Sequence, residues 1–130
     1  MKFMVCYDGS NASRSALRVA TKYAKAFEVE LFLVASLEKG AEDEQEVIRQ
    51  LEIELENGKE RLASEGIECE TRLLVRGATS GEVLTDFARE QGIDEIAIGI
   101  QKRSKVSKFF FGSTAQYVIL NAPCPVITVK

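Results

Sequence analysis

Residues 3–10 read Phe-Met-Val-Cys-Tyr-Asp-Gly-Ser, and this stretch decides how the rest of the chain is interpreted. Its first five residues are apolar, which is typical of a short strand that is buried on both faces. The Asp8-Gly9-Ser10 segment that follows consists of turn residues and helix-capping residues. The stretch therefore predicts a buried strand, a tight turn and the beginning of a helix.

The same alternation of strand and helix continues along the chain. Strands are predicted at residues 3–7, 31–37, 67–75, 95–99 and 126–129. The segments between them carry apolar residues at helical spacing, so that each is expected to contain one helix. Strict alternation with apolar strands predicts an α/β fold with a single doubly wound, five-stranded parallel sheet and helices on both faces. We expect one domain over residues 1–130, with strand order 3-2-1-4-5.

Composition restricts the classes of function. The chain has 130 residues, a net charge of −3 and no histidine, so the commonest general base and the commonest zinc ligand are absent. No apolar run is long enough to span a bilayer. The three cysteines are far apart in the sequence and are expected to be small buried residues. We therefore expect a cytoplasmic protein with no membrane contact.

Charge is distributed unevenly along the chain. Eight acids lie within residues 38–56, whereas residues 96–130 contain five lysines or arginines and no acid. A net-acidic protein with one basic segment indicates a local anion site more than a nucleic-acid-binding surface. Solvated surface charge is the simpler alternative.

The turn after the fourth strand carries the residues best suited to an anion. Gly99 ends this strand, and a glycine there allows a ligand to approach the backbone closely. Gly112-Ser113-Thr114 offers backbone N–H groups and hydroxyls at a helix N-terminus, where a phosphate binds readily. The cations Lys102 and Arg103 lie in the loop between. The alternative is a helix cap followed by a solvated loop.

The spacing of these residues resembles the nucleotide-binding signature of ATP-binding universal stress proteins, Gly-x2-Gly-x9-Gly-Ser/Thr. Gly99, position 102 and Gly112-Ser113 keep that spacing. The Asp8-Gly9-Ser10 turn after an apolar strand resembles the same family, and so does the segment from Asn121 to Val126 before the last strand. The resemblance covers the whole chain and implies the same doubly wound fold.

The resemblance also implies a role for individual residues toward ATP or AMP, with or without Mg²⁺. Tyr7 and Asp8 would meet the adenine and ribose, and Ala35 or Ser36 would offer backbone groups to the adenine edge. The remaining contacts would lie along the ribose and phosphates, at Ile98, Gly99, Gly112, Ser113 and Thr114. An aspartate in the position of Asp8 is also a common turn or capping residue, and the two roles are compatible.

One position departs from the family signature. The second glycine of the motif is Lys102 here, and Arg103 then fits the residues that often follow that glycine. A lysine at this position either blocks the site, if a positive φ or close phosphate approach is needed, or donates to a phosphate. A Lys102→Gly variant separates the two, since affinity rises in the first case and falls in the second.

The expected function is therefore an adenine-nucleotide-binding module in stress response or signalling, with at most slow ATP hydrolysis. The alternative is a dimeric member of the same family that no longer binds nucleotide, needs no cofactor and acts through protein–protein interaction. In both cases the resemblance implies a homodimer through the edge strand at residues 126–129, because an unpaired strand edge invites pairing with a second copy.

Overall fold

The computed structural model describes residues 1–38, 44–101 and 112–130. This part of the chain contains the strands β1 (Lys2–Cys6), β2 (Glu30–Glu38), β3 (Cys69–Arg76), β4 (Glu95–Gly99) and β5 (Val126–Val129). It also contains the helices α1 (Asn11–Ala26), α2 (Glu44–Ala63), α3 (Ser80–Gln91) and α4 (Ser113–Asn121). The predicted residues Lys102 and Arg103 lie outside the described residues.

The sheet is parallel, and its strand order is β3-β2-β1-β4-β5. Val5 of β1 pairs with Leu33 of β2 on one side and with Ala97 of β4 on the other. The strand order reverses at β1, because β2 lies to one side of it and β4 to the other. The predicted fold class and strand order are confirmed, and in such sheets ligands bind outside the carboxyl ends of the strands at this reversal.

Alternate residues of the strands pack into two separate layers. Phe3 and Val5 of β1 contact the layer formed with α1 and α2, whereas Met4 contacts the layer formed with α3 and α4. All three side chains are fully buried. Because helices cover both faces of the sheet, the strands are short apolar runs without a polar face.

The helix ends follow the local sequence. Ser10 is the N-cap of α1 and accepts a hydrogen bond from the Ser13 amide at 3.2 Å. Thr79 caps α3 in the same way: its hydroxyl oxygen accepts a hydrogen bond from the Glu82 amide at 3.4 Å. Gly92 ends α3 in the left-handed conformation, with φ of 65°, which glycine adopts without steric cost.

Within the described ranges, no helix is long and apolar enough to cross a membrane. The expectation that the cysteines are buried needs correction, since Cys6, Cys69 and Cys124 are each only partly buried. Cys69 and Cys124 lie on β3 and just before β5, the two outer strands of the sheet, which have a neighbour on one side only.

Candidate functional site

A cleft of about 330 Å³ opens at the carboxyl edge of the sheet. Its floor is formed where β1 and β4 end and by the part of β2 beside them, and its walls include residues from the first turns of α1, α3 and α4. The volume is at the lower end of the range found for small-molecule sites. The cleft therefore lies at the topological switch point, where this class of fold binds ligands.

Most of the residues predicted from the sequence lie together in this cleft. Its lining includes Tyr7, Asp8, Ala35, Ser36, Ile98, Gly99, Gly112 and Thr114. Ser113 is not part of the lining, although it is the first residue of α4 and stands between two residues that are. Four separate segments of the sequence thus converge on one space.

The N-terminus of α4 differs from the other two helix N-termini at the cleft. The N-cap side chains of α1 and α3 accept hydrogen bonds from their own first turns, as described above. The N-cap of α4 is Gly112, which has no side chain to cap the helix. The first N–H groups of a helix have no partner within it, and together with the helix dipole they favour an anion. This end of the cleft can therefore bind a phosphate.

Gly112 also leaves space on the cleft side. Its φ is −56°, so the backbone conformation does not require glycine. A Cβ built on it would meet no atom within 4 Å. The absence of a side chain at Gly112 thus keeps room open in the cleft without relieving any contact within the described protein.

Asp8 is held by the turn that follows β1. One of its carboxylate oxygens accepts a hydrogen bond from the Ser10 amide at 2.9 Å, and its own amide donates to the Ser13 hydroxyl at 3.4 Å. Burial opposes ionisation of the carboxyl, but hydrogen bonds from Ser10 and Ser13 outweigh it and lower the pKa of Asp8 below its usual 3.8. The carboxylate is therefore ionised at neutral pH and can accept hydrogen bonds from ligand hydroxyls.

Gly99 has a structural role that the sequence did not reveal. A Cβ on this residue would fall on the backbone carbonyl of Ala12, in the first turn of α1. The expected reason for a glycine was close approach of a ligand, and Gly99 does line the cleft. The close approach of α1 to β4 is a second and independent reason for glycine here.

Tyr7 contributes to the cleft through its backbone and not through its phenol ring. Its side chain is only 3% exposed and belongs to the apolar layer beneath α1 and α2. Its amide donates to the Val34 carbonyl at 2.9 Å, which fixes the backbone at the tip of β1. The part of Tyr7 suited to ligand contact is thus its backbone.

Several lining residues were not predicted from the sequence. Ser80 and Leu84 of α3 bring the N-terminus of a third helix to the cleft, and Cys6 and Val34 lie in its floor. Ligands in such folds bind at the carboxyl ends of the strands. Thr79 is the N-cap of α3 in the turn after β3, so considering the end of β3 as well would have included Ser80. Burial, followed by the nearby Asp8 charge, raises the pKa of the Cys6 thiol to about 12, which makes it a poor nucleophile.

No group of three or more cysteine, aspartate or glutamate side chains in the described part of the chain is arranged to hold a metal ion. The charged carboxylate at the cleft, Asp8, lies beside the hydroxyls of Ser10 and Ser13. The arrangement combines apolar walls, hydroxyl groups and helix N-termini. This combination suits a ligand with an apolar part, hydroxyl groups and a negatively charged end.

Comparison with known proteins identifies similar chains over this whole length. The model of the universal stress protein family matches residues 1–130. A universal stress protein of Methanocaldococcus jannaschii is 30% identical over an alignment 142 residues long. The alignment covers 99% of this chain and 81% of that protein.

Solved structures give the same result. A universal stress protein from Archaeoglobus fulgidus is 36% identical, with a TM-score of 0.87, and the match covers 100% of this chain and 93% of that one. A universal stress protein from Archaeoglobus fulgidus in complex with dAMP is 32% identical, with a TM-score of 0.82. That match covers 99% of this chain and 96% of the other.

Proposed function

Because this chain belongs to the universal stress protein family, we propose that it binds an adenine nucleotide, AMP or ATP, and acts as a binding module in stress response or signalling. The observation that carries the proposal is the N-terminus of α4. It opens into the cleft at Gly112, which provides neither a capping side chain nor a steric barrier.

The phosphates would lie at this helix end. Backbone N–H groups of the first turn of α4 would donate to them. Thr114 lines the cleft, and its hydroxyl would add a further donor. Ser113 would contribute through its amide, since its side chain is not part of the lining. For ATP, the sequence proposes Lys102 and Arg103 as contacts of the outer phosphates, and any Mg²⁺ would be bound through the phosphates.

The adenine and ribose would occupy the other half of the cleft. Val34 and Ala35 of β2 and Ile98 near the end of β4 supply an apolar surface beside the tip of β1. The ionised Asp8 carboxylate would accept a hydrogen bond from a ribose hydroxyl. In a complex of a relative that is 32% identical to this chain the ligand is dAMP, which supports an adenine nucleotide here.

The direct test is mass analysis of nucleotide that co-purifies with the native protein, followed by titration of the stripped protein with AMP and with ATP, with and without Mg²⁺. Saturable binding of either nucleotide supports the proposal. Its absence up to millimolar concentration would remove the proposal.

The second candidate function is a dimeric family member that acts through protein contacts without a nucleotide. Lys102 in place of a motif glycine favours it in the sequence. In the structure, the Ile100 amide donates to the Val129 carbonyl at 2.8 Å, so the backbone N–H and C=O of Val129 point toward β4. Because orientation alternates along a strand, Val126 and Thr128 direct their backbone groups away from β4. We propose that this edge pairs with a second copy.

A further inference from the structure

Gly58 occupies a position where a glycine is unexpected. It lies inside α2, five residues before the last residue of the helix, Ala63. Glycine in a helix interior destabilises the helix by about 0.5–1 kcal/mol relative to alanine. It is nevertheless buried. A Cβ on Gly58 would lie 2.9 Å from Cε1 of Tyr7 and 3.0 Å from Cδ1 of Leu33. The glycine therefore lets α2 approach the Tyr7 ring.

Glu54 lies one helical turn before Gly58 on the same face of α2. A Cβ on Gly9 would fall on the Glu54 carboxylate, so this side chain covers the Gly9 backbone. Gly9 has a φ of 84°, in the left-handed region that favours glycine. Glu54 is in turn 4.0 Å from the guanidinium of Arg14 on α1.

These two contacts meet the turn from Tyr7 to Gly9 on the side away from the cleft. Tyr7 and Asp8 line the cleft, whereas Glu54 and Gly58 do not. A turn that is covered by solvent on its outer side can move, but this one is packed against a helix. The contact with α2 thus supports this turn from outside, in addition to the hydrogen bonds with Val34 and Ser10 that hold Tyr7 and Asp8.

We propose that α2 positions the base and ribose half of the nucleotide site, through Gly58 against Tyr7 and Glu54 against Gly9. Gly58 and Glu54 are positioning residues, because neither touches the ligand. The inference rests on the proposed nucleotide function and assigns to α2 a role in it that the cleft lining does not show.

The first test measures AMP affinity of the Gly58→Ala variant. The added methyl group must displace Tyr7 or α2, so AMP is expected to bind about tenfold more weakly. Alanine favours the helical conformation more than glycine does, and this gain offsets part of the cost of the added methyl group. We therefore expect only a small change in the melting temperature. A structural defect alone would not weaken binding while leaving stability nearly unchanged.

The matched control is Leu62→Ala, one turn after Gly58 on α2. Leu62 is fully buried, so its truncation creates a cavity and lowers stability. It is not part of the cleft or of the turn from Tyr7 to Gly9, so AMP affinity is expected to stay within about twofold at a temperature where the variant is folded. Equal weakening in both variants would overturn the proposal, because affinity would then follow stability.

A second pair of variants avoids the core. Glu54→Ala and Glu54→Gln remove the same charge, but glutamine keeps a side chain over Gly9. We expect the alanine variant to bind AMP about threefold more weakly than the glutamine variant. Equal affinities in this pair, or wild-type affinity in Gly58→Ala, would overturn the positioning role while leaving nucleotide binding intact. If the wild type binds only ATP, the same variants are compared with ATP. A wild-type protein that binds neither AMP nor ATP would overturn both.

Discussion

The backbone carbonyl of Ala12 occupies the space into which a Cβ on Gly99 would project. The first turn of α1 is therefore packed directly against the end of β4, and the two elements form adjoining walls of the cleft. Both Ala12 and Gly99 line it. A single close contact between backbones thus fixes how near α1 lies to the end of β4 at the proposed nucleotide site.

A Gly99→Ala variant is expected to be strongly destabilised. Its Cβ would meet a backbone carbonyl, which has no alternative rotamer, so α1 or β4 must shift. Overpacking of this kind costs about 1–3 kcal/mol, and we expect the upper part of that range. Urea unfolding followed by circular dichroism measures the change. A loss of less than about 0.5 kcal/mol would show that α1 and β4 do not approach as closely as described.

The Asp8 carboxylate should make stability depend on pH. Hydrogen bonds in the folded state lower its pKa below the usual 3.8. A lowered folded-state pKa means that the contribution is fully present above the unfolded-state pKa and is lost as pH falls through the folded-state pKa. The difference in free energy of unfolding between the wild type and Asp8→Asn should therefore be constant near neutral pH and shrink below about pH 4. A difference that does not change with pH would contradict this.

The open edge of β5 predicts a variant that separates dimerisation from folding. Thr128 directs its N–H away from β4, and proline is tolerated at an edge position whose N–H faces outward. Thr128→Pro should therefore fold but remain monomeric, whereas Thr128→Ala keeps the N–H and should dimerise like the wild type. Sedimentation equilibrium distinguishes the two. Dimers in the proline variant would exclude pairing through this edge.

The sequence predicted the sheet well because buried parallel strands are continuous apolar runs with clear turns after them. The residue limits of β4 and β5 agree with those expected, and the cleft lies at the switch point that the strand order implies. The sequence also predicts Tyr7, Asp8, Gly99 and Gly112 at that edge, and all four line the cleft.

Other features depend on contacts between distant segments. Gly58 is an unfavourable residue for a helix interior, and the reason for it becomes visible only when α2 lies against Tyr7. The contact of Gly99 with Ala12 joins residues that are far apart in the chain. Ser80 reaches the cleft because β3 and α3 fold beside β2. Cys69 and Cys124 are partly exposed because they lie at the outer strands of the sheet. None of these follows from local pattern.

The central claim is that a phosphate binds at the N-terminus of α4. The measurement that tests it most directly is calorimetric titration of AMP and adenosine into the wild type and Gly112→Val. A Cβ at Gly112 would meet no atom of the described residues within 4 Å, so the variant should lose only about 1 kcal/mol of stability. We predict that AMP binds at least about tenfold more weakly to the variant, while adenosine affinity is unchanged. AMP affinity that is equal in both proteins would contradict the account.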